Sequence, residues 1–116
     1  MNFQEYQDKS KVTAVFPSFE AAVYQKNHNL IYTTLGLAGE SGEVVEKVKK
    51  VFRDGNGEVS ESRRQEIIKE LGDVLWYVSQ IATELGVSLE EVVSQNIEKI
   101  YSRKDRGVIQ GDGDNR

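Results

Sequence analysis

The chain has 116 residues, 38% of them hydrophobic and 29% charged, with a formal net charge of -4, one proline and no cysteine. That length holds one modest core and no second domain, and the missing cysteine excludes disulfides and thiolate metal sites. A negative net charge argues against a partner of duplex nucleic acid, whose binding rests on excess Lys and Arg.

The N-terminal MNFQEYQDKSK is polar from the start, and no apolar run of eighteen residues follows. No secretory leader or membrane span is expected, and the expected compartment is the cytoplasm. No segment alternates as a half-buried strand does, so the chain reads as all-α. A first helix is predicted over Phe3 to Val12. A loop with Pro17 leads through SFEAAVYQKNHN, in which His28 reads as an exposed loop residue, into a long second helix over about Leu30 to Phe52. RDGNGEVSES carries the turn residues Asp54, Gly55, Asn56 and Gly57. Ser62 and Gln65 have capping-box spacing, opening a third helix that runs to about Leu85 and stops at Gly86. Ser88 and Glu91 repeat that spacing before a fourth helix to about Arg103, and the polar, glycine-rich tail from about residue 107 to 116 reads as mobile when nothing is bound. Short connections favour an antiparallel helical bundle of about four helices in one domain, residues 1–116, completed by homo-oligomerisation. A long helical hairpin that finishes its core only in a dimer fits the same pattern.

In the second helix, GLAGESGEVVE places glycines at 36, 39 and 42 among Glu40, Glu43 and Glu46. Each helical glycine costs about 0.5 to 1 kcal/mol relative to alanine, so the three are expected to clear space beside the acids for a helix or a ligand. On a wheel with Glu40 at zero, Leu37, Val44, Val48 and Val51 fall between roughly 20° and 80°, and Glu43, Lys47 and Lys50 between roughly 280° and 340°. With Glu70 at zero in the third helix, Ile67, Leu71, Val74, Val78, Ile81 and Leu85 fall at roughly 20° to 100° and Asp73 at about 300°. The acids of both helices border the apolar stripe, so packing the stripes brings Glu40, Glu43, Glu70 and Asp73 toward one edge of the seam. A lone ExxE is usually a solvated face with weak ion pairs. Two acidic pairs at matching wheel positions favour a hard cation, Mg2+ or Mn2+, because crowded carboxylates repel unless neutralised and oxygen-only donors suit such ions.

Asn96, Lys99 and Arg103 follow at i, i+3 and i+7 on the fourth helix, among Leu89, Val92 and Ile100. Phosphate oxygens suit them, with Lys as a point charge and Arg as a fork, although helix-end complementarity or pairing with acids explains either cation alone. Lys47 and Lys50 share the sector of the acids and reach either phosphate or Glu43 and Glu46. Trp76 and Tyr77 read as core or interface aromatics before any role in stacking on a base.

GESGE, ELGD about 27 residues later, NIEKIYSRKDRG and the GDGDNR tail together resemble the MazG-type all-alpha nucleoside triphosphate pyrophosphohydrolases, over about Leu30 to Arg116. The resemblance implies Mg2+-dependent cleavage of a nucleoside triphosphate between the alpha and beta phosphates, giving monophosphate and pyrophosphate. It implies Glu40, Glu43, Glu70 and Asp73 as metal ligands, Glu43 and Glu40 as catalytic acids, and Asn96, Lys99 and Arg103 toward the triphosphate, with the tail closing over it; Lys47 joins the phosphate-binding group by its wheel sector. A homodimer or homotetramer with sites built across subunits is also implied. Gly39 stands where many relatives carry a further glutamate that positions water, and Lys69 where some carry an acid. A bound cation acidifies its own water, so a separate protein base is not required, and Glu43 or Glu46 is the protein's candidate. No residue can be tied to a base edge. The rival readings are a noncatalytic metal- or nucleotide-binding helical oligomer with a regulatory role, and a phosphatase that releases orthophosphate.

Overall fold

A computed structural model describes residues 1–17 and 27–116. Among them lie four helices and no strand: α1 Phe3–Val12, α2 His28–Gly55, α3 Glu61–Glu84 and α4 Leu89–Asp105. Of the expected loop SFEAAVYQKNHN, residues 18–26 fall outside the described residues. No helix among them is long and apolar enough to cross a membrane.

Caps explain where the helices begin and end. Asn2 accepts from the Glu5 amide while Glu5 reaches back to the Asn2 amide, a reciprocal box that starts α1 at the expected residue. Ser88 Oγ accepts from Glu91 N at 3.0 Å and opens α4 as expected. α3 differs: its cap is Ser60, with extended backbone and Oγ 3.2 Å from Arg63 N, so Ser62 lies inside the first turn. α2 outruns its expected span at both ends. Asn27, at φ 64°, lets the chain enter the helix at His28, which is therefore helical and half-buried rather than an exposed loop residue. At the other end the helix continues through Gly55 until Asn56 and Gly57 take positive φ, and Gly57 N closes onto Val51 O at 3.1 Å.

α2 and α3 form an antiparallel hairpin. Asn29 meets Glu84, Gly36 meets Tyr77 and Lys47 meets Glu66, the partner's number falling along α3 as α2 advances. α1 crosses the α3–α4 junction through polar side chains. Gln7 Nε2 donates to Thr83 Oγ1 and to the Val87 carbonyl, its Oε1 accepts from Leu89 N at 3.0 Å, and the Ser10 and Ser79 hydroxyls lie 2.8 Å apart. Because Gln7, Ser10 and Ser79 are buried, losing any partner would strand a desolvated polar group at about 1–3 kcal/mol.

The apolar core is small. Val51, Ala82 and Leu89 are its fully buried members among the described residues. Val48, Leu71 and Leu85, expected on the packed stripes, are exposed, because α1 is short and α2 and α3 cover only one face of each other. The fold is thus a long hairpin braced by α1 and α4, with Leu35, Val45, Phe52 and Ile68 also turned outward.

Candidate metal and phosphate site

The hairpin register sets Glu40 level with Asp73, and Glu70 lies one turn before Asp73 on the same face of α3. One carboxylate oxygen from each of Glu40, Glu70 and Asp73 lies within 4.8 Å of the others. Glu40 and Glu70 are half-buried and Asp73 is exposed. Burial pushes the Glu40 carboxyl above its ordinary range, and the charges of Asp73, Glu70 and Glu43 push it further. Glu43 is exposed and stands outside this group of three, acting on Glu40 least of the neighbouring acids.

Lys47 turns toward α3, with its Nζ 3.6 Å from Glu70 Oε1 and 3.9 Å from Glu66 Oε2. It therefore offsets the Glu70 side of the cluster, and among the described residues Glu40 and Asp73 have no cation of their own. Lys50 lies 3.3 Å from Glu46 Oε1, and Lys49 pairs with the same carboxylate. The hydrogen bond from Lys49, opposed by slight desolvation and aided by Lys50, pulls Glu46 below the ordinary range.

Tyrosines flank the acids. Burial, then Tyr32, Glu40 and Asp73, raises the Tyr77 phenol; burial, then Asp73, raises that of Tyr6. Tyr77 also explains Gly36, since a β-carbon there would overlap its ring, whereas among the described residues nothing lies within 4 Å of one at Gly39 or Gly42. Of the three glycines, only Gly36 provides the expected clearance among the described residues, and it does so for a helix. Trp76 is half-buried, donates from Nε1 to Thr13 Oγ1 at 2.8 Å and meets Tyr77 edge-on at 4.9 Å. Phe16 extends the group, 6.4 Å from Trp76 and 5.8 Å from Tyr32. Tyr6, Phe16 and Tyr32 escape sequence reasoning, because the contacts that bring them here span distant segments.

On α4, Asn96 and Lys99 are exposed while Arg103 is only 9% exposed. Arg103 Nη2 donates to the Asp114 carbonyl at 2.8 Å and lies 3.3 Å from Asp114 Oδ1, and Lys99 Nζ lies 3.8 Å from that oxygen. Among the described residues neither cation pairs with the acids of α2 or α3; both face the tail.

A hard cation fits the acids. Oxygens on one Mg2+ at about 2.1 Å lie at most ~4.2 Å apart, so three already within 4.8 Å need only small side-chain rotations. Glu40, raised by burial and then by the neighbouring acids, is the group such an ion would relieve. Glu40, Glu70 and Asp73 would hold it.

Gene 37 protein of Mycobacterium phage L5 is 47% identical to the chain over 116 residues, covering all of both proteins. The uncharacterized protein YvdC of Bacillus subtilis (strain 168) is 38% identical over 72 residues, 58% of this chain and 68% of that protein. No solved structure matches the chain significantly. The MazG nucleotide pyrophosphohydrolase domain matches residues 28–108, from the first residue of α2 to just past α4. The chain belongs to the MazG nucleotide pyrophosphohydrolase family.

Proposed function

We propose that this chain is a Mg2+-dependent hydrolase that splits nucleoside or deoxynucleoside triphosphates between the alpha and beta phosphates, yielding the monophosphate and pyrophosphate. The observation that carries the reading is the three-carboxylate group of Glu40, Glu70 and Asp73, still short of positive charge, in a chain of this family. When bound, the cation would neutralise phosphate oxygens and acidify water. Glu40, Glu70 and Asp73 position it. Glu43, one turn from Glu40 and open to solvent, orients the attacking water. Asn96, Lys99 and Arg103 take phosphate oxygens and balance the charge that develops as the bond breaks. Lys47 holds Glu70 in place and lies within reach of a phosphate beside it.

Homo-oligomerisation belongs to the same proposal. A compact chain of this length has a radius of gyration of about 13 Å, against the 17.5 Å observed. Leu35, Val45 and Phe52 of α2, with Ile68, Leu71 and Leu75 of α3, form apolar faces that a second copy would cover.

The test is release of pyrophosphate and of orthophosphate from each standard NTP and dNTP with Mg2+, with Glu70→Gln as the inactive control. Pyrophosphate alone, lost in the control, is expected. Orthophosphate as the product would replace this reading with a phosphatase, and Mg2+-dependent thermal stabilisation without turnover would replace it with a binding module.

A further inference from the structure

We propose that Asp114 is a resident competitor for the substrate's phosphate, holding Lys99 and Arg103 until a polyphosphate displaces it. The inference rests on the phosphate-binding role given above to these two cations, and adds how access to them is controlled.

The tail is folded so as to make this contact. Gly107, at φ 68°, reverses the chain after α4, and Val108 N closes onto Arg103 O at 2.9 Å. Gly111 and Gly113 also take positive φ, turning the chain back to the helix. Arg106 Nη2 then donates to the Arg116 carbonyl at 2.7 Å, and Arg116 donates to the Gly113 carbonyl, closing the loop around Asp114. Its carboxylate lands on both cations of the row.

Two features mark the contact as exchangeable. The Asp114 side chain is 87% exposed, so one flank of the ion pair is open to solvent and to an incoming anion. Arg103 is nearly buried, yet its Nε is a buried donor without a hydrogen-bond partner among the described residues. A carboxylate and one carbonyl therefore leave the guanidinium fork incompletely satisfied, whereas a phosphate offers more oxygens and more charge. The Lys99–Asp114 pair is open to solvent on both sides, and Arg103 is paired to a carboxylate that water reaches freely, so the contact holds weakly. The latched form therefore outweighs the open form only a few-fold, and apparent affinity falls by the open fraction.

The experiment uses the full chain and inorganic tripolyphosphate, titrated by calorimetry, beside steady-state turnover. Asp114→Asn keeps the shape and the backbone carbonyl but removes the competing charge. It is expected to bind tripolyphosphate about two- to fivefold more tightly and to lower KM by a similar factor at unchanged kcat. In the parent chain, tripolyphosphate should accelerate amide exchange over residues 109–116. Affinity that is unchanged or weaker in Asp114→Asn, with exchange unaltered, overturns the proposal. Lys99→Ala separates the two possible failures. If it weakens tripolyphosphate binding while Asp114→Asn gains nothing, the competitor role alone is wrong. If it weakens nothing, the phosphate reading of the row falls and the competitor role with it.

Discussion

Opposite charges are handled differently in two regions of the molecule. On the α2–α3 hairpin, Glu40, Glu70 and Asp73 crowd together, and among the described residues only Glu70 has a lysine within 4 Å. At the end of α4, Lys99 and Arg103 share a carboxylate brought from the tail. An uncompensated cluster favours whatever cation arrives, because the ion removes a repulsion that already exists. A compensated pair of cations must first release its partner, so its ligand binds against a competitor. The hairpin site is thus set for tight capture, and the α4 site for exchange.

The largest expected effect lies in the hairpin. Glu70→Gln or Asp73→Asn should lower pyrophosphate release by about 10²–10³-fold, the scale of losing one electrostatic anchor of a transition state. Metal-dependent thermal stabilisation should disappear with it. Glu43→Gln sharpens the comparison, since Glu43 stands outside the three-carboxylate group. Loss of turnover with metal stabilisation retained would give Glu43 a role toward water rather than metal. Loss of both would add it to the ligands.

Next in size is the packing that sets the hairpin register. Gly36→Ala forces a β-carbon into the Tyr77 ring, and should destabilise the chain by about 1–3 kcal/mol, the range for overpacking. Gly39→Ala meets nothing within 4 Å among the described residues and should gain up to about 0.5–1 kcal/mol of helix propensity. Denaturant melts of the two variants decide the matter. A loss at Gly39 would mean that a second copy of the chain approaches α2 there.

Much of this arrangement was legible in the sequence, and the failures have physical causes. α1 and the start of α4 were readable because Asn2, Glu5 and Ser88 cap locally. The ends of α2 were not, because Asn27 and Asn56 act through left-handed backbone rather than through a side-chain cap. Glu40, Glu70 and Asp73 were legible as acids beside an apolar stripe, a property of each helix alone. Glu43 had the same signature, but the register sets it level with Glu70, whose carboxylate lies beside Lys47 instead, and Glu43 stays exposed. The Asp114 contact was illegible, since it depends on three glycine dihedrals that bring the tail back to α4.

The smallest effect tests the same comparison within one helix. Glu40 and Glu46 both stand on α2, the first raised by burial and by neighbouring acids, the second lowered by Lys49 and Lys50. A carboxyl raised on folding binds more protons folded than unfolded in the window just above the ordinary carboxylate range. Stability falls as pH rises through that window. Glu46 has the opposite sign: its stabilisation is present at neutral pH and is lost as pH falls through its lowered value. In chelator at neutral pH, Glu40→Gln should therefore raise the melting temperature, on the order of 1–3 °C, and flatten its dependence on pH above the carboxylate range. Glu46→Gln should lower it slightly or leave it unchanged, since its ion pairs are exposed. Adding Mg2+ should reverse the ranking of Glu40→Gln and the parent chain, because the charge that weakens the metal-free fold is the one that holds the ion. A Glu40→Gln protein less stable than the parent in chelator would mean that the acidic edge is already neutralised from within the chain, and the contrast with the α4 row would be lost.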